Sequence, residues 1–125
     1  MTCSQQAHAV YSPAAAPIRT ARAIEYEVFA KITARLRAAV DARAGGLAPL
    51  AEALHENRRL WTLLASSVAD PGNLLPAELR ARIFYLAEFT AHHSEKVLNG
   101  EADPAVLIEI NTSVMKGLRQ QAAAA

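Results

Sequence analysis

The sequence has few of the features that mark secreted or membrane-spanning proteins. Its only cysteine is Cys3, so no disulfide can form within the chain. No apolar run approaches the ~18 residues that a membrane-spanning helix needs. The first residues also lack the basic and then apolar pattern of a secretory signal peptide. We therefore expect a cytoplasmic protein without membrane spans.

The sequence also lacks a strong charge and a catalytic motif. Its formal net charge is +1, so no strong field attracts nucleic acid or an anionic membrane. Gly45-Gly46 follows a helical pattern and lacks the spacing of a phosphate-binding loop. Ser66 and Ser67 have no recognisable base or orienting acid. We therefore expect a protein that is not an enzyme and needs no cofactor.

One set of possible metal ligands lies on a predicted helix. Glu88, His92 and Glu95 recur at positions i, i+4 and i+7, which places them on one helix face. No second helix offers a matching cluster, and a glutamate and a histidine four residues apart also form an ordinary solvated pair. The sequence therefore favours a polar helix face, and we predict no metal site.

Alanine and helical periodicity are what the sequence has in abundance. Hydrophobic residues make up 52% of the chain, and many of them are alanine, the strongest helix former. Apolar residues recur at helical spacing in four segments, at about 19–43, 48–69, 76–98 and 103–120. No segment alternates as a half-buried strand would. The pattern predicts an all-α, four-helix antiparallel bundle with a short N-terminal helical extension.

The predicted organisation has three parts. Residues 1–18 form an N-terminal extension and linker that is partly mobile, with a short helix over 2–11 and an alanine- and proline-rich linker over 12–17. Residues 19–120 form the helical domain. Residues 121–125 form a frayed alanine tail.

Three residues are predicted to set helix ends in the domain. Pro76 fits the first turn of a helix, where its missing amide has no intrahelical partner to lose. Gly100 is suited to close the same helix, and Asp103 is a good N-cap for the next one. These three residues are expected to act structurally.

Trp61 and a surplus of apolar residues are the features with the most functional meaning. Trp61 is in phase with neighbouring leucines, so we predict a core anchor whose ring N–H reaches a backbone carbonyl. Five other residues make the apolar faces wider than one seam requires: Leu60, Phe84, Phe89, Ile108 and Met115. Such width indicates either a fifth packed element, for which the N-terminal segment is a candidate, or a groove for a partner helix.

Four arginines allow a second interpretation. Arg58 and Arg59, together with Arg80 and Arg82 on the next predicted helix, could form a basic patch beside Trp61 where an RNA base stacks. The net charge favours the other interpretation, in which these arginines pair with carboxylates around the loop. The expected carboxylates are Glu52, Glu56 and Glu78.

Two stretches are fairly specific in combination. One is the Asn-Arg-Arg-Leu-Trp run at 57–61, and the other is the Ile-Asn-x-x-x-Met-x-Gly-Leu ending at 110–118. With further matches between them, they resemble the FlaF family of bacterial flagellar-biosynthesis regulators over about residues 22–118. The alanine- and proline-rich linker departs from the charged pattern expected in that family.

The resemblance implies a role in flagellum biogenesis. FlaF-type proteins promote flagellin production and export beside FlbT-type proteins, which act on flagellin messenger RNA. The implied mechanism is an export chaperone that binds an amphipathic terminal helix of flagellin. The alternative is a post-transcriptional regulator acting on flagellin mRNA, directly or with a FlbT-like partner, although direct binding of nucleic acid is the less favoured route. The expected partner-binding residues are Arg58, Arg59, Leu60, Phe84, Phe89, Ile108, Asn111 and Met115.

Overall fold

Four α-helices make up the part of the chain that the structure describes. A computed structural model describes residues 15–42 and 46–124. Over these residues the chain forms α1 (Ala15–Asp41), α2 (Leu47–Ala69), α3 (Ala77–Leu98) and α4 (Ala105–Ala124), without a strand. The prediction of an all-α bundle is confirmed. The opening helix predicted over 2–11 lies outside the described residues.

The helices pack as an antiparallel bundle. Helix α1 packs against α2 and α4, α2 packs against α3, and the contact between α3 and α4 is the smallest of these. The ring of Phe29 meets the ring of Trp61 edge-on, with 5.6 Å between their centroids. Farther along α1, Arg35 reaches back to Glu56, with 3.0 Å between Nη1 and Oε2. Later residues of α1 thus meet earlier residues of α2, as an antiparallel pair requires.

Two helix ends differ from the sequence-based boundaries. Helix α1 begins at Ala15, so Ala15–Pro17, predicted as linker, are the start of a helix. A proline is compatible with the first turn because the amides there have no intrahelical acceptor. Helix α4 continues to Ala124, beyond its predicted end at about Gln120. Alanine has the highest helix propensity of all residue types, so the alanine run favours this continuation of the helix.

The residues just before α3 and α4 set where these two helices begin. The Oδ1 atom of Asp103 accepts the backbone N–H of Ala105 at 2.9 Å, which confirms Asp103 as an N-cap. Pro76 stands immediately before α3, and its carbonyl accepts the N–H of Arg80 at 3.0 Å. Pro76 is therefore the N-cap residue of α3 and lies one position before the first turn in which it was predicted.

Gly100 ends α3 in a left-handed conformation. Its φ is +75°, a region that side-chain-bearing residues rarely adopt. The N–H of Gly100 bonds to the carbonyl of Val97 at 3.0 Å, and the N–H of Glu101 bonds to that of Lys96 at 2.8 Å. This pair of bonds is the Schellman motif, so the prediction that Gly100 closes the helix is confirmed.

The buried apolar side chains form two clusters along the bundle. The first cluster contains Phe29, Leu60, Trp61, Leu64, Val68, Ile83, Val114 and Leu118. The second cluster contains Leu36, Leu50, Ala53, Leu54, Val97 and Leu107. On every helix, the residues of one cluster precede or follow those of the other, so the clusters occupy different levels of the bundle.

A layer of buried polar side chains lies between the two clusters. It consists of Thr33 on α1, Asn57 on α2, Thr90 and Ser94 on α3, and Asn111 on α4. None of these residues is more than 2% exposed. We call this set the polar layer. All four helices contribute to the polar layer. Its hydrogen-bonding groups meet only when the helices are aligned along the bundle axis as they are here.

Candidate functional site

Asn111, expected at a partner-binding rim or in a structural role, is the centre of the polar layer. Its Oδ1 accepts the indole N–H of Trp61 at 2.9 Å. Its Nδ2 donates to Thr33 Oγ1 at 3.0 Å and to Asn57 Oδ1 at 2.7 Å. Both amide hydrogens of Asn111 are therefore used. Asn111 holds α1, α2 and α4 together and is not accessible to a partner.

Trp61 is a core anchor, as predicted, but its hydrogen bond differs from the expected one. The residue is 1% exposed. The acceptor for its ring N–H is the Asn111 side chain, whereas a backbone carbonyl was predicted. The acceptor is a side chain on α4, which lies fifty positions later in the chain and is not apparent from the pattern around Trp61.

Two atoms of the polar layer have no hydrogen-bond partner among the described residues. They are Nδ2 of Asn57 and Oγ1 of Thr90. The hydroxyl of Ser94 donates to the backbone carbonyl of Thr90 at 2.7 Å, which satisfies Ser94 within its own helix. The layer is therefore fully bonded at Asn111 and incompletely bonded at Asn57 and Thr90.

Three of the five apolar residues expected to contact a partner lie in or against the core. Leu60 is 6% exposed and belongs to the first cluster. Met115 packs against that cluster, and Ile108 packs against the second. Each helix of the bundle touches two neighbours, so it needs a wider apolar stripe than a single seam does. The apolar width of α2 and α4 is thus explained by packing, and the expected contact role of Leu60 is corrected.

The remaining two residues are exposed on α3. Phe84 is 46% exposed and Phe89 is 38% exposed. Between them in sequence, Tyr85 is 66% exposed and was missed as a candidate. Its position opposite the inner stripe of α3, next to Phe84, is the signal that could have identified it. At 3.6 residues per turn, Phe84 and Phe89 lie about 140° apart around α3, so the three side chains border a broad outer surface on either side of Glu88. We call Phe84, Tyr85 and Phe89 the aromatic face of α3.

Phe89 is held in place by contacts near the turn between α3 and α4. Its ring stacks on the ring of His93, with centroids 5.3 Å apart and planes inclined by 20°. The Nε2 atom of His93 lies 2.9 Å from the backbone carbonyl oxygen of Asp103. The stacked pair therefore ties the aromatic face to the start of α4.

Two adjoining hollows accompany the aromatic face. The first, which we call the α2–α3 hollow, has a volume of about 230 Å³. It is lined by Arg58, Trp61, Thr62, Ala65, Phe84, Ala87, Glu88 and Ala91. The second lies on the outer side of α3, has a volume of about 400 Å³, and is lined by Tyr85, Glu88, Phe89, Ala91 and His92. Glu88 and Ala91 line both, so the two hollows form a continuous surface.

Arg58, one of the four arginines of the predicted basic patch, has a carboxylate partner on the neighbouring helix. Arg58 pairs with Glu95 across α2 and α3, with 3.9 Å between Nη2 and Oε2, and Glu56 pairs with Arg35. The predicted carboxylate partners of Arg58 were thus wrong. Glu95 therefore lies beside Arg58 and offsets its charge.

The three possible metal ligands on α3 have other surroundings. Glu88 and His92 line the second hollow, and Glu95 pairs with Arg58. Across residues 15–42 and 46–124, no group of three or more histidine, cysteine, aspartate or glutamate side chains is placed to hold a metal ion. Over the same ranges, no helix combines the length and the apolar character that crossing a membrane requires.

Comparison with known families gives one match that spans most of the chain. A family model described as "Flagellar protein FlaF" matches residues 7–118. The matched range includes the aromatic face, both hollows and the whole polar layer. Comparisons with curated proteins and with solved structures gave no significant match.

Proposed function

Because this chain belongs to the FlaF family of flagellar proteins, we propose that it promotes flagellin synthesis and secretion by binding flagellin as a cytoplasmic export chaperone. Its function is related to the flagellum, and the proposal concerns the mechanism. In this mechanism the bundle binds newly made flagellin and covers the helical termini through which flagellin polymerises. The role is one of binding, and the proposal assigns no catalytic step to the protein.

The aromatic face of α3 carries the proposal. Three large apolar side chains on one helix, Phe84, Tyr85 and Phe89, are each at least 38% exposed. Singly exposed apolar side chains, such as Leu63 at 66%, are common on protein surfaces. The three aromatic residues differ because they line two connected hollows, and aromatic residues are enriched in interfaces. A binding role accounts for this combination best.

An amphipathic helix is the partner that suits this surface. The α2–α3 hollow lies between two helices, where side chains of a third helix can pack into the groove. The terminal helices of flagellin have the required apolar stripe. Delivery to an exporter requires release, so moderate affinity serves this role better than very tight binding.

The alternative role in regulating flagellin mRNA receives less support from the described surface. Arg58 already has a carboxylate partner in Glu95. Direct RNA binding would need several phosphate contacts and would weaken steeply with salt. A regulator that acts through a FlbT-like protein is tested by the same binding experiments with that protein as the partner.

The first experiment is co-purification with the flagellin of the source organism, followed by calorimetry. We expect a one-to-one complex with a negative heat-capacity change, the sign of apolar burial. The variants Phe84→Ala and Phe89→Ala should weaken binding by about tenfold or more, as truncation of an interface aromatic does. The control Leu63→Ala removes an apolar side chain that is 66% exposed on α2, outside both hollows, and should bind normally.

Two results would contradict the proposal. One is the absence of binding at micromolar concentration. The other is binding that is unchanged by both phenylalanine variants. A gel shift with flagellin leader RNA, repeated at several salt concentrations, then tests the regulator role.

A further inference from the structure

We propose that the α2–α3 hollow takes one large apolar side chain from a partner helix, and that Glu88 binds a lysine or arginine one turn away on the same helix. The inference rests on the proposed function, in which that partner is flagellin. It adds the chemistry by which a particular segment is recognised: an apolar anchor with a cation three or four residues before or after it.

The size of the hollow limits its occupant to a single side chain. Its volume of about 230 Å³ is below the ~300–1,000 Å³ of pockets that enclose drug-sized ligands. Three of its lining residues, Ala65, Ala87 and Ala91, have small side chains. Phe84 and the nearly buried Trp61 also line it and supply aromatic surface. A helix can therefore approach closely and insert one large apolar residue.

The charges at the rim define the second part of the recognised segment. Arg58 and Glu88 both line the hollow. Arg58 pairs with Glu95, but Glu88 is exposed and forms no ion pair within the described residues. The rim therefore presents one uncompensated carboxylate beside an apolar hollow. Such an arrangement favours a cation on the ligand and disfavours an acid there.

The spacing follows from helix geometry. Glu88 is one of the residues that line the α2–α3 hollow. When the apolar side chain of the partner helix occupies the hollow, a cation that reaches Glu88 must therefore lie next to that side chain on the partner helix. Neighbours on one helix face are three or four residues apart, with about 5–6 Å between their Cβ atoms. Glu88 also borders the second hollow, so the bound cation stays at the surface and keeps part of its hydration.

Filling the hollow tests the apolar part. Ala91→Leu and Ala65→Leu each place a large side chain in it, from opposite helices. Leucine and alanine have similar helix propensities, so the helices should remain intact, which circular dichroism and thermal unfolding check. We expect each variant to bind flagellin about tenfold more weakly in calorimetry. The control Ala81→Leu adds the same side chain at an exposed position of α3 outside the hollow and should bind within twofold of the wild type.

Neutralising Glu88 tests the charged part. Glu88→Gln should weaken flagellin binding by about three- to fivefold at low salt, the range of an exposed ion pair. The difference should shrink at 1 M salt, where charges more than ~3 Å apart are screened. The matched control is Glu78→Gln, which changes the same charge at an exposed position of α3 outside the hollow. It should leave affinity unchanged.

The failures of the two proposals look different. If wild-type protein does not bind flagellin, the proposed function is wrong and this inference falls with it. If the wild type binds but both leucine variants bind equally well, the hollow is not the binding site and only this inference is overturned. If the leucine variants bind weakly and Glu88→Gln behaves like Glu78→Gln, the requirement for a cation is wrong.

Discussion

The indole N–H of Trp61 donates a 2.9 Å hydrogen bond to the side chain of Asn111, fifty positions later in the chain. The amide of Asn111 continues to Thr33 and Asn57, so one side chain joins three helices. Since these groups are buried, any helix register that separates them would leave polar atoms without a partner or water. The polar layer therefore favours one alignment of the bundle over others that would bury similar apolar area.

Truncating Asn111 should destabilise the protein more than truncating Asn57. Asn111→Ala removes three hydrogen bonds and leaves the Trp61 N–H buried and unpaired, so we expect a loss of about 3 kcal/mol. Asn57→Ala removes one bond and also an Nδ2 that has no partner, so we expect about 1–2 kcal/mol. Both residues are 0% exposed and both substitutions remove the same side-chain atoms. The cost of the cavity should therefore be similar in the two variants, and the difference between them reports the hydrogen bonds. Urea unfolding followed by the fluorescence of the single tryptophan measures the difference, and equal losses would contradict this account.

Two glycine-to-alanine substitutions should change the free energy of unfolding in opposite directions. Gly100→Ala forces a side chain into a residue at φ +75°, so the free energy of unfolding should fall by about 1–2 kcal/mol. Gly117 lies inside α4, and a Cβ added there meets nothing within 4 Å. Gly117→Ala should therefore raise the free energy of unfolding by about 0.5–1 kcal/mol. Thermal unfolding of both variants is the measurement. A stabilising Gly100→Ala would show that the Schellman ending of α3 is not formed.

Removing the N-cap of α4 should have a moderate, local effect. Asp103→Ala leaves the N–H of Ala105 without its 2.9 Å side-chain partner, which should cost about 1 kcal/mol. Glu101→Ala, an exposed change two residues earlier, should cost less than about 0.5 kcal/mol. Chemical denaturation compares the two. Similar losses for both would mean that Asp103 contributes little as a cap.

Leu60→Ala should mainly reduce the stability of the protein, whereas Phe84→Ala should mainly reduce its binding of flagellin. Leu60→Ala empties a core position that is 6% exposed, so we expect a loss of about 2–4 kcal/mol. Phe84→Ala truncates a side chain that is 46% exposed and should cost about 1 kcal/mol or less. Denaturation should thus show Leu60→Ala to be much the less stable, while the flagellin titration should show Phe84→Ala to be defective although folded. A reversal of the two effects would place Leu60 at the binding surface.

Helical periodicity and turn chemistry were enough to predict the helices and their order. The four stripes are local properties, since residues three and four apart fall on one face whatever the rest of the chain does. The caps at Gly100 and Asp103 were predictable for the same reason, because the conformation and hydrogen bond of a cap involve only residues a few positions away. The early start of α1 at Ala15 was missed because the rule against proline in helices does not hold in the first turn.

The candidate site was predicted only in part, because exposure depends on neighbours distant in sequence. Leu60 and Phe84 look equally out of phase in a helical pattern. Leu60 is buried in the first cluster together with residues of the other helices, whereas the outer side of α3 leaves Phe84 and Tyr85 uncovered. The acceptor for Trp61 is likewise a matter of which side chain another helix brings within 3 Å.

The sequence by itself determined the helical class, the caps, the resemblance to the FlaF family and the presence of more apolar residues than one seam needs. Only the tertiary structure decided which of those residues are core and which are surface, and that Asn111 is the centre of a polar layer. The physical reason is that periodicity is a property of one helix, whereas burial and hydrogen-bond partners arise where helices meet.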